Sequence, residues 1–123
     1  MNSDSPLLQR SRAFAVAVAT LVDSIPNTIK GRIVANQLMR SATSVAANYR
    51  AVCRAKSDAD FISKMAIAYK ECRESVLWLC LIRDAEVVRP SRMAAIVAEA
   101  LELRAILGTS LKTARQRKAK VKV

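Results

Sequence analysis

Apolar residues recur at three- and four-residue spacing along most of the chain, in stretches separated by short polar or proline-bearing breaks. In the first stretch Leu7, Phe14, Val18, Leu21 and Ile25 form one stripe. Ser5 is placed to cap it, and Pro6 suits a first turn, where a missing N–H costs nothing. The pattern predicts a helix over residues 5–23, broken at Ile25-Pro26-Asn27 because Pro26 disfavours helical geometry at the residue before it. A second helix is expected over residues 28–55, with Val34, Leu38, Ala42, Val45, Tyr49 and Val52 as its buried stripe. At 100° per residue its outward face carries Arg32, Asn36, Arg40, Thr43, Ala47, Arg50 and Arg54. Between the two faces runs a seam of Gln37, Ser41, Ser44 and Asn48, which is either a partly solvated flank or a close contact between subunits.

The third helix is expected to open at Ser57-Asp58-Ala59-Asp60-Phe61. There Ser57 can cap, and both aspartates favour the positive end of the helix dipole. Its stripe is Phe61, Met65, Ala68, Cys72, Val76 and Leu79, and it should end near Glu86, before Val87 and Pro90. A fourth helix is expected from Ser91, a natural cap, with Met93, Ile96, Val97, Ala100, Leu103, Leu107 and Leu111 as its stripe. Gly108 falls inside this pattern and is expected to weaken or end the helix.

Four amphipathic helices with short connections predict an all-α, antiparallel, up-down-up-down four-helix bundle over residues 1–111, followed by a tail, 112–123. The scarcity of turn residues, two glycines and three prolines, argues against an all-β fold. A length of 123 residues fits one domain with a core large enough to fold without disulfides or a metal.

Charge changes the picture more than length does. Lysine and arginine number 21 against 10 acidic residues, for a net charge of +11. Six basic residues and no acidic ones lie between Lys112 and Val123, so removing the tail would leave +5. Such a surface suits a polyanion, RNA, DNA or an acidic membrane face, and the alternative is a device for solubility. The candidate contacts are Arg32, Arg40, Arg50, Arg54 and Lys56 on or just after the second helix, continued by Lys64. In the tail they are Lys112, Arg115, Arg117, Lys118, Lys120 and Lys122. Phosphate contacts need positive charge and little else, so these patches predict a grip that does not read sequence. A membrane-surface role is not expected, because the tail lacks large apolar residues. Residues 13–22 are apolar enough to resemble a signal-peptide core, but they fit the first helical stripe, and Asp4 precedes them. The run Val76 to Ile82 is too short to span a bilayer.

Reactive chemistry is sparse. The chain has no histidine, no CxxC spacing and no glycine-rich phosphate loop. Glu71 and Glu74 lie three apart, with Trp78 four further on, and paired carboxylates can bind metal or do acid–base work. A carboxylate metal site in a bundle wants histidine partners, so ion pairing with a basic side chain of a neighbouring helix is the expected role. Cys53, Cys72 and Cys80 are an odd number of thiols in helical patterns, which suggests buried, reduced packing residues in a cytoplasmic protein. The single tryptophan and four other aromatic residues do not suggest a stacking platform for single strands. These readings predict a non-enzyme without cofactor or metal.

The stretch Ile33-Val-Ala-Asn-Gln-Leu-Met-Arg-Ser-Ala-Thr-Ser-Val-Ala-Ala-Asn-Tyr49 resembles the signature of the four-helix bundle proteins encoded in intervening sequences of bacterial 23S rRNA genes. The resemblance continues in Ala55-Lys-Ser-Asp-Ala-Asp-Phe61, in Lys64 and in Glu71-Cys-Arg-Glu-Ser-Val-Leu-Trp-Leu79, and covers roughly residues 8–111. Its longest motif is Gln37-Leu-x-Arg40-Ser41-x-x-Ser44-x-x-x-Asn48. It implies the bundle, a homopentameric ring, and kinship with the accessory variability protein of diversity-generating retroelements, a basic barrel that binds RNA and a reverse transcriptase. No catalytic residues come with it, and the tail after Leu111 lies outside the shared pattern. The seam Gln37, Ser41, Ser44 and Asn48 matches the signature and is expected to bond within the bundle or across a subunit boundary. Two functions remain open: an RNA-binding scaffold, and an adaptor that docks a protein such as a reverse transcriptase.

Overall fold

The computed structural model describes residues 5–121. Four helices follow one another: α1 Pro6–Val22, α2 Ile29–Val52, α3 Asp58–Asp84 and α4 Ala94–Val121, with a single 3-10 turn, Pro90–Arg92, ahead of α4. Sequential helices pack against each other, and α1 closes the bundle against α4 more lightly. This is the expected all-α antiparallel four-helix bundle.

The starts of the first three helices follow their capping residues. The Ser5 side chain accepts from Leu8 N with Pro6 in the first turn, Thr28 Oγ1 accepts from Gly31 N at 3.0 Å, and Ser57 Oγ accepts from Asp60 N at 3.0 Å. Asp60 reaches back to Lys56 N at 3.0 Å and to Lys64 Nζ at 2.8 Å, and these partners hold its carboxyl below the usual range. The predicted stripes meet at the centre. Phe14, Val18, Leu38, Val45, Met65, Leu79, Leu103 and Leu107 are all buried, while Leu7, Ile25, Val34, Tyr49, Phe61 and Ile96 pack partly buried around them.

Besides α2 ending at Val52 rather than at residue 55, the boundaries differ from expectation in three places. First, α3 stops at Asp84, with Glu86 held at φ 51°, in the left-handed region. Val87 N donates to Ile82 O at 2.9 Å and Glu86 N to Arg83 O at 3.1 Å, so the helix ends in a Schellman motif, with glutamate where glycine is usual. A side chain in this conformation costs about 1–2 kcal/mol. Glu86→Gly is therefore expected to raise the melting temperature by a few degrees. An unchanged or lower value would show that the Glu86 side chain offsets the strain.

Second, Ser91 lies inside the 3-10 turn and caps nothing; α4 begins after Met93. Third, α4 does not weaken at Gly108 but continues unbroken to Val121, so the basic residues 112–121 are helical. Gly108 is explained by packing: a Cβ there would sit 2.9 Å from Tyr69 Cε1, so the missing side chain makes room for the ring.

Candidate nucleic-acid interface

The antiparallel topology brings the end of α2, the start of α3 and the end of α4 together. Arg50 and Arg54 are exposed at the end of α2, and Lys56 is exposed in the turn to α3. Lys112, Arg115, Arg117 and Lys120 are exposed on α4, and Lys118 is half-buried. None of these eight side chains forms an ion pair among the described residues. Lys122 lies outside the described residues. Among the described residues the acidic groups at this end are Asp58 and Asp60, and Asp60 is held by Lys64. The opposite end mixes Lys30, Arg32, Arg83, Arg89 and Arg92 with Asp23, Asp84 and Glu86, so it is closer to balanced.

The helix-two stripe does not act as one patch. Arg32 lies at the other end of α2, where its guanidinium donates to Asn27 Oδ1 at 3.1 Å. Arg40 is taken up by two carboxylates of α3, donating to Glu71 Oε1 at 3.1 Å and to Glu74. Both contacts hold the guanidinium more firmly in its charged form. This accounts for Glu71 and Glu74 as ion-pair partners, as expected, and leaves Arg40 half-exposed with its charge shared by two carboxylates. A second fork ties α1 to α4: Arg10 donates to Glu99 at 2.7 and 3.1 Å and to Glu102 at 2.9 Å. Arg10 lies four residues from the start of α1 and Glu102 nineteen from the end of α4, so α4 overshoots α1 by roughly 20 Å.

The polar seam is divided in the same way. Ser41 is fully buried. Its hydroxyl donates to Leu38 O at 3.2 Å and accepts from Ser75 Oγ at 2.9 Å, while Ser75 Oγ also lies 3.0 Å from Glu71 O. Ser41 and Ser75 thus form a hydrogen-bonded contact between α2 and α3 that only small side chains permit. Gln37 Oε1 accepts from Arg40 Nε at 3.3 Å, and Asn48 Nδ2 donates to Ser44 O at 2.8 Å. Gln37, Ser44 and Asn48 are half-buried on the flank of α2. Ser75→Leu is expected to force α2 and α3 apart and destabilise the bundle by about 1–3 kcal/mol, the usual cost of overpacking a core. A denaturation midpoint equal to that of the unmodified chain would contradict this.

The thiols are not equivalent. All three are free, Cys72 is buried, and Cys53 and Cys80 are half-buried, so the expectation of buried thiols holds fully for Cys72 alone. Burial pushes the Cys72 thiol up to about 11, against a smaller opposing effect of Arg104, and its Sγ faces Ala100 O at 3.7 Å. The thiolate is the reactive form, so Cys72 is expected to resist an aromatic disulfide reagent at neutral pH until the chain is denatured. Peptide mapping that finds Cys72 modified under native conditions would refute this.

At the basic end a cavity of about 560 Å³ opens between the three helix ends. Tyr49 and Val52 of α2, Cys53 at its C-cap, Phe61 of α3 and Ala114 of α4 line it, and Lys56, Asp58, Arg117 and Lys118 add charge. Burial is the main cause that pushes the Tyr49 phenol up. Nothing in the sequence pattern marks this cavity, because its walls come from three helices whose relative register only the fold supplies. Among the described residues no group of three or more acidic, cysteine or histidine side chains could hold a metal, and no helix is long and apolar enough to cross a membrane.

Comparison with solved structures finds a protein of unknown function from the S23 ribosomal protein family of Bacteroides thetaiotaomicron. It is 33% identical, with a TM-score of 0.79 over 86% of this chain and 98% of that one. No curated protein matches the chain. The pattern of the family described as 23S rRNA-intervening sequence protein matches residues 3–109, which takes in all of α1, α2 and α3 and about half of α4. With the four helices, the motif of α2 and the long overlap in agreement, the chain belongs to the 23S rRNA-intervening sequence protein family.

Proposed function

We propose that this protein is a non-catalytic scaffold that grips RNA at the basic end of its bundle and assembles as a homopentamer in the cytoplasm. The observation that carries the reading is the convergence of unpaired cations from two distant stretches of chain. Arg50, Arg54 and Lys56 meet Lys112, Arg115, Arg117, Lys118 and Lys120 at one end. Elsewhere Arg10, Arg40, Lys64 and Arg83 are paired with carboxylates, and the remaining unpaired cations among the described residues are spread over the helices rather than gathered at one end. Concentrated positive charge with few acidic neighbours favours a polyphosphate backbone and does not require a particular base sequence. Repeating this end around a ring would raise avidity without new contacts.

Assembly has support of its own. Ile29 is 72% exposed and Ile33 54% exposed near the start of α2, and Leu77 is 55% and Leu81 43% exposed towards the end of α3. These apolar side chains lie towards the end away from the basic cluster, and covering them with further copies would remove apolar area from water. The same surface supports the second reading, an adaptor that docks a protein such as a reverse transcriptase, as a kinship with retroelement accessory proteins would imply. Anisotropy of a labelled structured RNA and light scattering test the reading together. It predicts saturable binding at low salt by a particle of five 13.5 kDa chains. No RNA binding by a chain that captures a protein partner would favour the adaptor instead.

A further inference from the structure

We propose that the cavity between the ends of α2, α3 and α4 binds a nucleotide, with its base against the aromatic wall and its phosphate at the cationic rim. The cavity combines two surfaces that a nucleotide needs and that a bare anion or a hydrocarbon chain does not need together. One wall carries Tyr49 and Phe61, which lie twelve residues apart in sequence and meet here because the α2–α3 turn folds back. The rim carries Lys56, Arg117 and Lys118, none of them in an ion pair among the described residues. Asp58 is the carboxylate beside them, and it can accept from an amino group on a base edge.

The volume of about 560 Å³ lies within the roughly 300–1,000 Å³ of small-ligand sites. An inorganic phosphate would engage the rim and leave the aromatic wall open to water. An acyl chain would leave three cations and a carboxylate unmatched. A nucleotide satisfies both: an aromatic side chain offers any base a stacking face, and lysine and arginine hold phosphate. The ligand is either a free mononucleotide or an unpaired residue of an RNA strand, and the second source rests on the RNA-binding reading above.

Ala114 supplies the test, because it lines the cavity, carries no charge and sits within α4. Ala114→Phe would fill the space and keep every cation. The full chain and this variant are titrated calorimetrically with adenosine monophosphate and with inorganic phosphate at matched ionic strength. Both are also titrated by anisotropy with a single-stranded RNA and a blunt duplex RNA. The expected result is that the monophosphate binds the unmodified chain about tenfold or more tighter than phosphate, within the range one stacked base supplies. Ala114→Phe should abolish that difference and leave duplex binding unchanged. Tighter binding of single strand than duplex, lost in the variant, would identify the unpaired RNA residue as the source; binding of the monophosphate alone would identify the free nucleotide.

Equal binding of monophosphate and phosphate, or monophosphate binding unaltered in a folded Ala114→Phe chain, would overturn the proposal. If that variant does not fold, Phe61→Leu keeps the bulk and removes the ring, and unweakened monophosphate binding there would overturn it equally. The two readings fail separately. A chain that binds duplex RNA but not the monophosphate keeps the scaffold and loses the cavity, and the reverse result keeps the cavity and loses the scaffold.

Discussion

Gly31→Ala is expected to destabilise the bundle by about 2–4 kcal/mol and to lower its melting temperature by roughly 10 °C. Helix propensity alone predicts the opposite sign, since alanine inside a helix is favoured over glycine by about 1 kcal/mol. The geometry reverses it. A Cβ on Gly31 would lie 2.0 Å from Pro26 O, 3.0 Å from Thr28 Oγ1 and 3.2 Å from Ile25 Cγ2. The first of these is backbone, and that carbonyl already accepts from Thr28 N at 2.9 Å. Relieving the clash means moving the turn that joins α1 to α2, and with it the Thr28 cap on Gly31 N. Gly31 is buried at this junction, so the need is for space rather than for unusual backbone angles. Thermal unfolding reads the effect, and an unchanged or higher melting temperature would show that the turn gives way at little cost.

The second large effect concerns binding. Lys112, Arg115, Arg117, Lys118 and Lys120 replaced together by glutamine should leave α4 helical, because glutamine is nearly as good a helix former as lysine or arginine. Each phosphate contact contributes about 0.7–0.9 to the slope of log affinity against log salt. If all five side chains touch phosphate, the slope should fall by about 3.5–4.5, and affinity at low salt should drop by orders of magnitude. Arg40→Gln is the matched control. Its guanidinium is already engaged by Glu71 and Glu74, so its loss should change the slope little. Equal effects of the five-residue and the Arg40 variants would mean that unpaired charge at the basic end is not what RNA meets.

Much of the fold was legible because local signals agreed. The Ser5-Pro6 and Ser57-Asp58 starts, the proline break after α1 and the apolar periodicity all pointed to the same four helices, and each stripe reached the core. What was missed had two causes, backbone bonds at a helix end and a helix-forming segment without an apolar stripe. Glu86 carries no sign of left-handed geometry, because glutamate has no preference for it, and the Schellman bonds at Ile82 and Arg83 hold it there. Residues 112–121 read as a tail because basic residues replaced the apolar stripe, yet alanine, lysine, arginine and glutamine are good helix formers and α4 simply continues.

The candidate interface was half legible. The basic residues stood out by composition, but which of them are free did not. Arg40 faces outward by periodicity, and only the register of α2 against α3 places Glu71 and Glu74 beside it. The same register pairs Ser41 with Ser75, so one member of the polar seam is a buried packing contact between helices. The cavity lined by Tyr49, Phe61 and Ala114 had no sequence trace, because its walls lie on three separate helices.

The most direct test of the central claim is the affinity of the full chain for a structured RNA, measured by fluorescence anisotropy across a salt series. With eight unpaired cations at the basic end, the account predicts that affinity falls by about 10³–10⁵ between 50 and 200 mM salt, with little dependence on RNA sequence. Absence of binding at low salt, or binding that salt does not weaken, would contradict the account.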